Sequence, residues 1–115
     1  MSLQIGSIVW GVRNIQVSVD FWSKALNYKL KREPSYDWAA LIPKEGQGIQ
    51  LSLKLVTSDK PHRHHIDLFT KDQKAEVKRL LTLGATRKED WNYEKDAEYI
   101  VLTDPEGNTF CVVQT

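Results

Sequence analysis

A second cysteine is missing. With Cys111 alone in 115 residues, an internal disulfide is excluded, and a lone thiol fits a reducing compartment such as the cytoplasm. An excess of either charge is missing too. Sixteen Lys and Arg against fifteen Asp and Glu leave a formal +1, too weak a field to hold a phosphate backbone or an anionic membrane. Neither nucleic acid nor lipid is therefore an expected partner. No apolar run approaches the ~18 residues that span a bilayer, and Met1 to Gly6 lacks the basic stretch and apolar core of a signal peptide. The length suits one domain with a working core and is short for two independent ones. A soluble cytoplasmic domain is the expectation.

What is present is a pattern that occurs twice. Residues 5–12 are β-branched and aromatic and read as a buried strand. Ile15, Val19, Trp22 and Leu26 then fall at helical steps with Ala25 beside them, Asn14 placed as a cap and Asn27 as a stop. Extended runs are predicted over 28–33, 37–43 and 48–56, broken by Pro34-Ser35 and by the turn formers from Pro43 to Gly48. In the last run Ile49, Leu51, Leu53 and Leu55 alternate with Gln50, Ser52 and Lys54, so one face is apolar and the other polar.

After a polar linker at 57–62 the order restarts. His64 to Thr70 is strand-like, Asp72 can cap a helix carrying Val77, Leu80, Leu81 and Leu83, and Gly84 stands where helices stop. Strands are expected near 85–91, 97–103 and 109–114. A shift of 58 lays Ile8 on Ile66, Trp10 on Leu68, Val19 on Val77, Trp22 on Leu80 and Ala25 on Leu83. Leu51 meets Val112 only at a shift of 61, which allots about three extra residues to loops of the second half. The fold class predicted is α+β, two tandem βαβββ modules over 4–56 and 63–115 in one domain.

Particular residues then call up a family. Ile8-Val9-Trp10-Gly11-Val12-Arg13-Asn14-Ile15 with Asp20-Phe21-Trp22, the central His65-Ile66-Asp67-Leu68, the helix end Leu83-Gly84-Ala85 and the closing Asp104-Pro105-Glu106-Gly107-Asn108-Thr109-Phe110-Cys111 resemble the vicinal oxygen chelate superfamily of glyoxalase, bleomycin-resistance and dioxygenase proteins. The Phe-Cys-Val-Val ending is similar to its small glyoxalase-like subgroup. The resemblance implies a curved eight-stranded mixed sheet with helices on the convex face, a concave pocket, and a homodimer. It also implies metal ligands at four inward positions, here Ser7, Gln50, His65 and Cys111. Of these, His65 is a ligand of the family type, Gln50 a weak one, Ser7 none in practice, and Cys111 replaces a carboxylate.

Strand alternation marks the same pocket without the family. If Ile66 and Leu68 lie under the helix, then His65, Asp67 and Phe69 share the other face. A carboxylate beside an imidazole can orient it for proton transfer, so His65 and Asp67 are the candidate catalytic residues; the plainer alternative is that Asp67 anchors a neighbouring loop. Alternate strand positions lie roughly 6–7 Å apart, so the pair meets only in favourable rotamers. Cys111 is expected to face the pocket because Phe110 and Val112 face the core.

Thiolate and imidazole are good zinc ligands, so His65, Gln50 and Cys111 would hold a divalent metal if one binds, but a pocket without metal or other cofactor is the expectation. His62 and His64 read as solvated residues beside a strand. The Asp104 to Asn108 segment reads as a structural turn, because Pro105 fixes φ and Gly107 supplies a positive one. Trp10 and Trp22 belong to the core by periodicity, whereas Trp38 and Trp91, expected in middle strands, could stack on a flat ligand beside Gln50 and Cys111. Three readings stay open: a small-molecule enzyme using His65 and Asp67, a non-catalytic binding or sequestration protein of the bleomycin-resistance type, and a metal-dependent enzyme like lactoylglutathione lyase or a dioxygenase.

Overall fold

Period-two and period-3.6 segments alternate along the chain as expected, and the computed structural model, which describes residues 5, 7–57 and 65–115, shows the order βαβββ twice. The first set is β1 (Ser7–Val12), α1 (Ile15–Leu26), β2 (Tyr28–Leu30), β3 (Trp38–Pro43) and β4 (Gln50–Leu55). The second is β5 (Ile66–Thr70), α2 (Gln73–Thr82), β6 (Thr86–Arg87), β7 (Tyr99–Thr103) and β8 (Thr109–Gln114). The expected linker past Thr57, with His62 and His64, and Gly6 near the start lie outside the described residues. Among the described residues no helix is long and apolar enough to cross a membrane.

Contacts group the chain into two compact units, Met1–Lys60 and Pro61–Thr115. Each carries its own four-stranded mixed sheet, ordered β1-β4-β3-β2 in the N-terminal unit and β5-β8-β7-β6 in the C-terminal unit. In each, the last strand returns to run parallel beside the first while the other neighbours are antiparallel. Every ladder among the described residues thus lies within one unit, and the ladders define two sheets of four strands, not one of eight.

In the N-terminal unit α1 starts where Asn14 accepts a hydrogen bond from the Val17 amide at 3.1 Å and stops where Asn27 takes a left-handed φ of 58°. Its inward stripe brings Trp22 edge-on to Trp10, ring centroids 5.8 Å apart, with Phe21 at 4.9 Å from Trp22. Leu41, Leu51 and Leu53 complete the buried layer. In the C-terminal unit α2 is capped by Asp72, which accepts from the Ala75 amide at 3.3 Å, and ends at Gly84 with φ 117°. Val77 and Leu80 are buried, as are Phe110 and Val112 on the sheet.

β4 (Gln50–Leu55) and β7 (Tyr99–Thr103) fall two or three residues short of the expected 48–56 and 97–103, and β2 and β6 are cut short at their C-terminal ends. β2 ends at Leu30 because Lys31, Arg32 and Glu33 are exposed charges ahead of Pro34. β6 has only two residues, since Lys88, Glu89 and Asp90 turn instead, with Lys88 Nζ 2.9 Å from an Asp90 oxygen. Trp91 consequently sits in the 88–98 loop and not in a strand. The register also revises the repeat. Ile8 pairs with Leu51 and Ile66 with Phe110, so Leu51 corresponds to Phe110, and Leu53 to Val112, at a shift of 59. The extra length of the second half is concentrated in that loop, eleven residues at 88–98 against seven at 31–37 between β2 and β3.

The Asp104 to Asn108 segment is a built turn. Buried Asp104 accepts from the amides of Asn108 at 2.8 Å and Glu106 at 3.0 Å, and Gly107 has φ 83°. Deleting that carboxylate strands two amides, one of them buried, so Asp104→Ala is expected to cost about 2 kcal/mol in urea unfolding. An unchanged midpoint would show that water replaces the carboxylate.

Candidate functional site

The outer face of the C-terminal sheet is assembled from strand alternation and ladder register together. Ile66 and Leu68 turn toward the helix side, leaving Asp67 and Phe69 on the opposite face, with His65 just before the strand. Asp67 is paired with Cys111 across the β5–β8 ladder, and Val101 and Tyr99 follow on β7 opposite Cys111 and Val113. An open cleft of about 520 Å³ lies over this face, lined by His65, Asp67, Phe69, Glu98, Tyr99, Cys111 and Val113. That volume is within the ~300–1,000 Å³ typical of small-molecule sites. Phe69 is 72% exposed, a large aromatic ring held in water by its strand position.

At the polar end of the cleft the two candidate catalytic residues touch: His65 Nε2 lies 3.2 Å from Asp67 Oδ1, both side chains partly open to solvent. The rotamers that bring alternate strand positions together are the ones adopted. The carboxylate lies against Nε2, and Nδ1 is the ring nitrogen outside that contact. Cys111 lies beneath them, 5% exposed. Burial first, and then the negative charge of Asp67, push its thiol up from an ordinary 9.0 to about 11.

At neutral pH Cys111 is therefore a protonated thiol and not a nucleophile. The native state holds this proton more tightly than the unfolded chain does. Its contribution to stability is whole below about pH 9 and is lost as the pH rises through about 11. Alkylation by iodoacetamide is expected to run about a hundredfold slower in the native protein than in urea, and to accelerate about tenfold per pH unit across roughly pH 8 to 10. Equal rates in the two states would contradict the buried thiol.

The wall beyond the dyad is tied to the start of α2. Gln73 Nε2 donates to the carbonyls of Glu98 and Val112, each at 2.9 Å, and Gln114 Oε1 accepts from the Gln73 amide at 2.9 Å. These bonds fix the ends of β7 and β8 on which Tyr99 and Val113 stand. Tyr99 is further contacted by the Tyr93 ring, centroids 5.5 Å apart, and by the Trp91 indole, whose Nε1 is 3.4 Å from the Tyr99 hydroxyl. Trp91 thus buttresses a lining residue and does not itself line the cleft.

The other expected site residues belong to the N-terminal unit. Gln50 begins β4, with its side-chain oxygen accepting from Lys31 Nζ at 3.2 Å and its nitrogen donating to Ser52 Oγ at 3.0 Å. Ser7 and Ser52 share a hydroxyl–hydroxyl bond of 2.6 Å. Trp38 is half-buried on β3, in register with Lys54. Ladder equivalence makes Ser52, not Gln50, the counterpart of Cys111, as Ser7 is of His65. Sequence reasoning missed Ser52 and the pairing of Asp67 with Cys111. The polar alternation Gln50, Ser52, Lys54 was the signal for the first, while register was needed for the second.

A divalent metal is what the vicinal oxygen chelate resemblance implies, and the donor set tests it. Ser7 and Gln50 are committed to a hydrogen-bond network of their own, so the four-position set does not fit. Within the C-terminal unit, His65, Asp67 and Cys111 each offer a ligand atom, all within 4.8 Å of one another.

Comparison with known proteins agrees with this architecture. The family model described as a glyoxalase-like domain matches residues 7–113. Curated proteins give no match. Among solved structures, the chain is similar to the fosfomycin resistance protein FosX of Listeria monocytogenes, crystallised with Mn(II) and a dihydroxypropylphosphonic acid, at 14% identity and TM-score 0.77 over 100% of this chain and 93% of that one. A glyoxalase/bleomycin resistance protein/dioxygenase family enzyme of Burkholderia phytofirmans PsJN gives 16% identity and TM-score 0.74, covering 97% and 98%. A member of the same superfamily from Sphaerobacter thermophilus gives 20% and 0.70, covering 99% and 98%. At these identities the structural likeness is one of fold.

Proposed function

Because the chain belongs to the family of glyoxalase-like domains, we propose that it binds a small molecule in the cleft of its C-terminal unit and moves a proton there with His65 and Asp67. The observation that carries this reading is the 3.2 Å contact between His65 Nε2 and Asp67 Oδ1 in a cleft otherwise lined by Phe69, Glu98, Tyr99, Cys111 and Val113. Phe69, Tyr99 and Val113 bind the apolar part of the ligand. Asp67 fixes the imidazole in one tautomer and stabilises the imidazolium once Nδ1 has taken a proton. A substrate with an acidic C–H next to a carbonyl suits a base that needs no further reactant.

The test is deuterium incorporation. The full chain is incubated in D2O with a panel of small α-hydroxyketones, 2-oxoaldehydes and aryl ketones, and exchange is followed by proton NMR. Catalysed exchange in at least one member supports the reading. Binding without exchange across the panel would instead favour the sequestration reading, for which the exposed Phe69 ring and the Trp91–Tyr93–Tyr99 aromatic group are the supporting features. A homodimer is part of the same reading, on the strength of the family resemblance.

A further inference from the structure

We propose that the open edge of β7 at Tyr99, beside the 88–98 loop, is a second binding site, which takes a zwitterionic tripeptide in extended form. Ladder register carries the inference. Gln114 donates its amide to the Glu98 carbonyl at 2.9 Å, so the main-chain groups of Glu98, Ile100 and Leu102 turn toward β8. Those of Tyr99, Val101 and Thr103 turn the other way, toward β6. Thr103 meets Thr86 there, and the Val101 carbonyl accepts from the Lys88 amide at 3.1 Å. Beyond Lys88 the chain turns off, and the Val101 amide is met by the Tyr93 hydroxyl at 2.8 Å, in the place of a strand carbonyl. The Tyr99 amide and carbonyl come next along this edge, and neither has a protein partner among the described residues. The N-terminal unit closes the equivalent position. There Lys31 donates to Ala40 as Lys88 does to Val101, and the carbonyl of Trp38, the counterpart of Tyr99, accepts from the Ser35 amide at 3.0 Å.

A cavity of about 380 Å³ lies at this edge, and its lining includes Gln73, Tyr93, Glu94, Lys95, Tyr99 and Ile100. Its size suits a small molecule and not a folded partner. Tyr99 is the one residue it shares with the cleft over Asp67 and Cys111. The wall selects the ligand. A donor and an acceptor on one outward-facing residue pair with one residue of an added strand. That residue needs a peptide bond on each side, so the smallest free peptide that fits has three residues, roughly 10 Å long when extended. Lys95 and Glu94 set one cation and one anion beside the edge, matching the carboxylate and ammonium at the two ends of such a peptide. Tyr93 and Ile100 supply apolar surface for its side chains. A phosphate or a hydrocarbon would leave the strand-edge pair unmatched.

Trialanine, added to isotope-labelled full chain and followed by amide NMR, tests the proposal apart from any catalysis. Saturable shifts are expected at Tyr93, Lys95 and Tyr99. Trialanine methylated on the nitrogen of its middle residue loses the donor to the Tyr99 carbonyl and sets a methyl group against it, so it is expected to bind at least about tenfold more weakly. This arm leaves the protein unaltered. Lys95→Ala with trialanine, and the parent with trialanine amide, are each expected to bind about two- to fivefold more weakly, and the two losses should not add. Lys95 is exposed, so its removal leaves the fold intact. Absence of saturable shifts into the millimolar range, equal binding of the methylated peptide, or shifts gathered at Asp67, Phe69 and Cys111 would overturn the site. Unchanged affinity in Lys95→Ala would overturn the choice of a zwitterion. None of these outcomes depends on His65, so the proton-transfer reading stands or falls separately.

Discussion

Alanine in place of His65 is expected to slow deuterium exchange of a responding carbonyl compound by about 10²–10⁴-fold, the usual contribution of a positioned base. Its half-saturation concentration should change by no more than a few-fold. The split follows from where the groups stand. On the proposed reading, apolar contact with Phe69, Tyr99 and Val113 supplies binding and survives the substitution, whereas the imidazole that takes the proton is removed. Asp67→Asn separates the two roles of the carboxylate. The amide keeps a polar group beside Nε2 but lacks the charge that stabilises the imidazolium, so the loss is expected at the low end of the same range. A variant that merely damaged the strand would raise the half-saturation concentration as well. Parent-level exchange in His65→Ala would remove His65 from the chemistry.

Trp22→Ala is the substitution expected to cost the N-terminal unit most, about 3–5 kcal/mol, because it combines lost transfer energy with a cavity the size of an indole. Trp22 is wholly buried and meets both Trp10 and Phe21 edge-on. Set against the ~5–15 kcal/mol that keeps a small domain folded, that loss is a large fraction of the total. Trp91, exposed and held by a single long hydrogen bond to Tyr99, supplies the control: Trp91→Ala is expected within about 0.5 kcal/mol of the parent. Urea unfolding followed by far-ultraviolet circular dichroism measures both, since removing an indole changes the fluorescence signal itself. Comparable midpoints for the two variants would show that the Trp10–Trp22 layer is not the core it is taken to be.

The parts of this fold legible in the sequence are those set by local chemistry. Asn14, Asn27, Asp72 and Gly84 mark helix ends through their own side-chain or backbone preferences, and each is found at a helix end. Trp10 and Trp22 were readable from period alone. What could not be read depends on pairing between distant segments. Charged residues after Leu30 and Arg87 shortened two strands and moved Trp91 into a loop, because propensity inside a run says little about whether a partner strand is there to receive it. The same holds for the candidate site. Alternation places Asp67 and Cys111 each on an outward face, but only the ladder sets them side by side, and only side-chain rotamers bring the His65 ring onto the carboxylate.

The central claim is that the face formed by β5, β8 and β7 receives the small molecule. Titration of isotope-labelled full chain with the carbonyl panel, followed residue by residue in amide and methyl NMR spectra, tests it directly. The account predicts concentration-dependent shifts concentrated at Asp67, Phe69, Tyr99, Cys111 and Val113, saturating with the exchange activity. Shifts that leave those five residues unmoved and gather instead around Lys31 and Gln50 would contradict it.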